Sequence, residues 1–138
     1  MSIPMRYETS YRWSGEGDRG ETTVPGHEPL TVGGPVGEDH YSAEHLLVAA
    51  AEICLANTFF FLAEQSGLEV ASWESTAEGE LEYVRREGYR FKKIVLRPVI
   101  AVHAEDRERA ERFLEKAHGA CLIARSLSAP VEVQSRFL

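Results

Sequence analysis

The sequence predicts an α+β domain. Three observations carry that expectation: an almost wholly apolar segment at 42–65, two β-prone runs at 68–84 and 89–102, and an amphipathic segment at 105–118. Helices mixed with hairpin-like strands, rather than alternating regularly with them, belong to the α+β class. At 138 residues with 43% hydrophobic content, the chain suits one domain, 1–138, with a real core.

The elements follow in order. Residues 7–13 alternate, with Tyr7, Thr9, Tyr11 and Trp13 on one side, which predicts a strand. Residues 14–37 are rich in Gly and Pro and cannot form one long element. Short strands are expected near 21–24 and 30–32. The connection is long enough to suggest a loop with a task.

A helix is expected over 42–65, with Ser42 capping it, Glu44 near its positive end and Gly67 closing it. Its apolar residues leave almost no polar face, so it must be buried nearly all round. One chain of this size can hardly enclose it alone, which points to a subunit interface. Glu52 and Asn57 interrupt the segment, and its apolar stretch of 46–63 falls short of a comfortable membrane span of about 20 residues.

The runs at 68–84 and 89–102 read as strands joined by Arg86-Glu87-Gly88, with Pro98 marking an edge, bulge or break. Ala110, Phe113, Leu114 and Ala117 stripe the helix over 105–118, which Gly119 should end. A short helix over 121–127 and a final strand over 130–138 complete the reading.

Composition narrows the function. The net charge of -7 argues against nucleic acid and anionic membranes as partners, because both select basic surfaces. Two cysteines cannot build a disulfide scaffold or a cysteine-only zinc site. They could form one redox couple. The N-terminal segment has no continuous apolar core, so a cytoplasmic protein is expected.

Cys54 lies in the apolar helix and could be a small buried hydrophobe. Cys121 follows a helix end among Ala120, Leu122 and Ile123, which also permits a core role. Pairing would need the fold to bring them together. Arg19 sits in the run Gly15-Glu16-Gly17-Asp18-Arg19-Gly20, either as an exposed turn charge or held over a buried site. Beside Cys54 it would stabilise the thiolate. A carboxylate would then have to hold its fork. Glu44 is the candidate and Glu52 a rival. Glu44 and Cys54 stand about 15 Å apart along an uninterrupted helix, so only the Arg could bridge them, or the carboxylate must come from a second subunit.

Taken together, Asp18-Arg19-Gly20, the run from Ser42 through Glu44-His45-Leu46-Leu47 to Cys54, and Ala120-Cys121-Leu122-Ile123-Ala124-Arg125-Ser126-Leu127 resemble the OsmC/Ohr family of osmotically induced proteins and organic hydroperoxide reductases. Ser42-Ala43, where many members have Asn-Pro, and Leu122, where the Ohr branch commonly has Pro, point to the OsmC-like branch.

The resemblance implies an intertwined α+β homodimer, with long central helices enclosed by antiparallel sheets. It implies a catalytic set of Cys54 as the peroxide-reacting cysteine, Cys121 as the resolving cysteine, Arg19 as the thiolate activator and Glu44 as its orienter. It implies reduction of organic hydroperoxides through a sulfenic acid and a disulfide, with no bound cofactor or metal. An external dithiol, such as dihydrolipoyl groups carried by a protein, would restore the thiols. Phe59, Phe60 or Phe61 could line an apolar entrance or simply fill the core. Two other readings stand beside this one. The first is a non-enzymatic binder of small apolar ligands or an interaction protein on the same dimeric fold. The second is a metal site drawn from His27, His40, His45, His103 and His118.

Overall fold

A computed structural model describes residues 3–138. The chain divides into two compact units, one ending at Leu47 and the other comprising Val48–Leu138. The helix α1 (Ala43–Ser66) runs from the first into the second.

The first unit carries a four-stranded sheet in the order β1 (Ser10–Trp13), β2 (Gly20–Thr23), β3 (Leu30–Gly33) and β4 (Tyr41–Ser42). β1–β2 and β2–β3 are antiparallel, whereas β3 and β4 are parallel. Strand β1 begins three residues later than the alternation suggested, at Ser10, where pairing with Thr23 starts. Gly20 faces Trp13 across the pair, and a Cβ there would stand 2.7 Å from the Arg12 carbonyl oxygen, so glycine lets β1 and β2 close.

Ser42 caps α1 as expected: its Oγ accepts the His45 backbone N–H at 3.1 Å. At the other end Gly67 takes φ +71° and Leu68 N–H donates to Ala63 C=O at 2.9 Å, a left-handed glycine stop. With 24 residues, α1 has the length expected from 42–65, and by length and composition alone it could cross a membrane. In this chain Ala51, Leu55, Phe59 and Ala63 form one buried i, i+4 stripe. The apolar residues off that stripe are not all covered: Ile53 is 57% exposed and Phe60 40%.

The second unit is built on a long hairpin, β5 (Val70–Val84) against β6 (Gly88–Val102). Its turn uses positive φ at Arg86 (72°) and Gly88 (99°), at the predicted position. Ion pairs Arg90–Glu82, Lys93–Glu80 and Arg97–Glu78 join the two strands. Ile94, Val95, Leu96 and Ile100 of β6 are buried, as are Ala110, Leu114 and Ala117 of α2 (Arg107–Ala120). Phe113 of the predicted stripe is half-buried.

Two expectations change here. The final strand is in fact two, β7 (Val131–Val133) and β8 (Arg136–Phe137), both parallel to β6. β7 pairs with Ile94–Leu96 and β8 with Val99–Ile100, so the interruption falls opposite Arg97 and Pro98. Proline has no N–H to offer a ladder, and the neighbouring strand breaks beside it. The sheets are therefore mixed rather than purely antiparallel.

Helix α2 also passes through Gly119 to Ala120. It is stopped by the extended backbone of Cys121 (φ -64°, ψ 110°), which then starts the short α3 (Leu122–Ser126).

Candidate functional site

The second unit brings the two cysteines together. Cys54 projects from the middle of α1 and is half-buried. Cys121 sits at the junction of α2 and α3 and is 1% exposed. Both are free thiols, and they lie close enough for the charge state of one to bear on the other. Burial pushes the Cys121 thiol above its ordinary value, and the neighbouring Cys54 acts in the same direction. The backbone N–H groups of Ala124 and Ile123 oppose the shift without reversing it. Cys121 is thus kept as S–H beside Cys54. That is the form in which it can lose its proton as water when a neighbouring sulfenic acid condenses with it.

The surroundings of Cys54 are fixed by the same unit. Thr58 Oγ1 donates to the Cys54 carbonyl at 2.7 Å. Glu52, the rival orienter, accepts from Ser75 Oγ on β5 and is committed there. Phe59 is fully buried in an aromatic cluster, 5.2 Å from Trp73 and 6.3 Å from Phe60 between ring centroids. It is core rather than entrance. Phe60, also 5.4 Å from Trp73, is the more exposed member.

Arg19 belongs to the first unit, and its setting there is specific. Nη1 donates to Asp18 Oδ1 at 2.6 Å and Nη2 to Asp39 Oδ1 at 2.8 Å. Asp39 Oδ1 also meets His40 Nδ1 at 2.9 Å, and His40 Nε2 lies 2.6 Å from the Gly34 carbonyl. The His40 side chain is 1% exposed. Asp18 additionally accepts the Gly34 N–H at 3.1 Å.

Three glycines make this packing possible. A Cβ on Gly33 would come within 2.7 Å of Arg19 Nη1, one on Gly34 would collide with Asp18 Oδ2, and one on Gly37 would come within 2.9 Å of His40. Residues 33–40 wrap the arginine.

Glu44 stands in the first turn of α1, half-buried, and is not among Arg19's partners within the chain. The carboxylates on Arg19 are those of Asp18 and Asp39. Sequence reasoning missed Asp39 and weighed His40 only as a metal ligand, although the run Glu38-Asp39-His40 directly after a glycine-rich turn was a usable signal. Among the described residues no group of three His, Cys, Asp or Glu side chains is placed to hold a metal ion. A recess of about 690 Å³ beside α2 is lined by Glu108, Glu111, Glu115 and His118, not by either cysteine.

The sequence profile of the family described as OsmC-like protein matches residues 36–136, a stretch containing both cysteines. The chain belongs to the OsmC-like family. An uncharacterised protein of Bacillus subtilis, YmaD, is 32% identical over 95 residues, which are 66% of this chain and 63% of that protein. The match thus spans less than two thirds of that relative's length.

Among solved structures, an OsmC-like protein of unknown function from Vibrio cholerae superposes with a TM-score of 0.86 at 20% identity, covering 96% of this chain and 99% of the other. An organic hydroperoxide resistance protein from Legionella pneumophila gives 0.75 at 17% identity, covering 99% and 98%. The organic hydroperoxide resistance protein OhrB of Bacillus subtilis gives 0.66 at 19% identity, covering 97% and 98%. At these identities the structural likeness shows the OsmC-like fold, α+β with mixed sheets, and not a substrate.

Proposed function

We propose that this OsmC-like protein reduces organic hydroperoxides with thiol electrons. The single observation that carries this reading is the placement of two free cysteines, half-buried Cys54 and buried Cys121, as neighbours in the fold. Coupling requires their Cα atoms to stand roughly 4.4–6.8 Å apart.

The Cys54 thiolate attacks the distal oxygen of ROOH, the O–O bond breaks, and RO⁻ takes a proton to leave as alcohol. Cys54 is now a sulfenic acid. The Cys121 sulfur displaces its hydroxyl, giving a disulfide and water. A dithiol attacks the disulfide, leaves both cysteines reduced and is itself oxidised to a disulfide. The sum is ROOH plus a dithiol giving ROH, water and a cyclic or protein disulfide. A protein-borne dihydrolipoyl group is one reductant of that class.

Arg19 serves the thiolate and the charge that develops on the leaving oxygen. Glu44 joins it from a second copy in this reading. The working unit is a homodimer, supported by the uncovered Ile53 and Phe60 on a helix apolar nearly all round. Ile53→Arg should lower the sedimentation coefficient to that of a monomer, and an unchanged value would remove the dimer from the reading.

The reaction is tested with cumene hydroperoxide and dithiothreitol or dihydrolipoamide. Wild type should consume peroxide with matching loss of reductant thiols, and Cys54→Ser should not. Equal turnover by the variant would overturn the mechanism.

A further inference from the structure

The arginine cluster holds two pairs of opposite charge. Asp18 takes one terminal nitrogen of Arg19 and Asp39 the other. Asp39 is also the partner of His40, so one carboxylate oxygen, Oδ1, is shared between the guanidinium and the imidazole. Each nitrogen of the His40 ring faces an acceptor, the Asp39 carboxylate on one side and the Gly34 carbonyl on the other. A neutral imidazole has one N–H and could satisfy only one of them. The arrangement therefore calls for the imidazolium, with both N–H groups donating.

We propose that Asp39 and His40 are positioning residues for Arg19, and that the His40 imidazolium is the latch that keeps Asp39 and the 33–40 loop closed on the guanidinium. This rests on the reading of Arg19 as the residue that serves the Cys54 thiolate.

The charged groups facing His40 are Asp39 and Arg19, with Asp18 beyond the guanidinium. The Asp39 hydrogen bond and then the Gly34 carbonyl raise the His40 pKa above its ordinary value, against burial and the Arg19 charge. When His40 loses its proton, one ring nitrogen is left with a lone pair against an oxygen. Either the Gly34 contact, at 2.6 Å, or the Asp39 contact must then open. Opening at Asp39 frees one end of the Arg19 fork. Opening at Gly34 releases the loop that Gly33, Gly34 and Gly37 allow to lie against it.

The test has two arms. In the first, ¹⁵N-detected NMR follows the His40 ring and the Arg19 guanidinium from pH 5 to 9 in the full chain. Restricted guanidinium rotation should be present at low pH and lost with the His40 titration. Asp39→Asn should abolish the restriction and Asp39→Glu restore part of it. In the second arm, kcat/KM for cumene hydroperoxide is measured over the same range. Asp39→Asn should lower it about ten-fold, the loss of one charge-assisted hydrogen bond. Wild type should lose kcat/KM on the alkaline side, and His40→Gln should flatten that limb.

An active enzyme whose kcat/KM and pH profile are unchanged in Asp39→Asn and His40→Gln would overturn the proposal. So would Arg19 signals indifferent to His40. A protein without peroxidase activity in which the guanidinium still follows His40 would support the latch while removing the peroxidase reading.

Discussion

Cys121 is a neighbour of Cys54, although the whole β5–β6 hairpin and helix α2 lie between them in sequence. The two thiols are unequal. One is half-buried on a helix face, and the other is 1% exposed with its proton held by burial. That inequality has a measurable consequence. At neutral pH iodoacetamide should label Cys54 well before Cys121, read by peptide mass spectrometry. In Cys121→Ser, one equivalent of hydroperoxide should leave Cys54 carrying a single added oxygen that dimedone traps. Equal labelling rates in the reduced protein would contradict the assigned roles.

Gly33 and Gly79 should respond differently to the same substitution. A Cβ on Gly33 meets the free end of Arg19, at 2.7 Å from Nη1, and the edge of His40. Gly33→Ala should therefore displace the guanidinium at little cost to stability, within about 1 kcal/mol, while lowering peroxidase activity about ten-fold. A Cβ on Gly79 meets Phe91 at 2.6 Å and Val48 at 2.7 Å, where α1 packs on β5. Gly79→Ala should cost about 1–3 kcal/mol by overpacking, measured by urea unfolding.

The closed state of the 33–40 loop should have a pH window. The Asp39 carboxyl is held below its ordinary value of 3.8, first by the His40 hydrogen bond, then by its own backbone N–H and by Arg19. Its contribution is present above pH 3.8 and is lost as pH falls through the lowered pKa. His40 is raised, so its contribution is complete below its ordinary value of 6.5 and is lost as pH rises through the raised pKa. Amide exchange in residues 33–40, corrected for intrinsic rate, should be slowest between those limits and faster on both sides. Protection that rises steadily through pH 8 would contradict this.

Phe59 is fully buried against Trp73. Phe59→Ala should cost about 3–5 kcal/mol in chemical denaturation. Phe60→Ala, at a position 40% exposed in the single chain, should cost the isolated fold less and weaken self-association more.

Much of this architecture is readable along the chain because its signals are local. Ser42 before an apolar run and Gly67 after it bound α1, and Arg86-Glu87-Gly88 sets the β5–β6 turn. Where the reading failed, the deciding interaction was between segments. The last strand splits because Pro98, more than thirty residues earlier, interrupts its neighbour. Gly119 was expected to end α2, but the stop is the backbone of Cys121.

The sequence by itself determined the α+β class, the capped apolar helix, the acidic balance and the presence of two cysteines and one loop arginine. Those are matters of composition and short-range periodicity. Only the tertiary structure decided that Cys121 meets Cys54, and that Asp18 and Asp39, not Glu44, hold Arg19 within the chain. It also decided that His40 stands behind Asp39 with both ring nitrogens engaged. Side-chain pairing depends on which backbone segments can approach closely. Here that approach depends on three glycines whose missing Cβ atoms leave room for an arginine fork and its counter-charges.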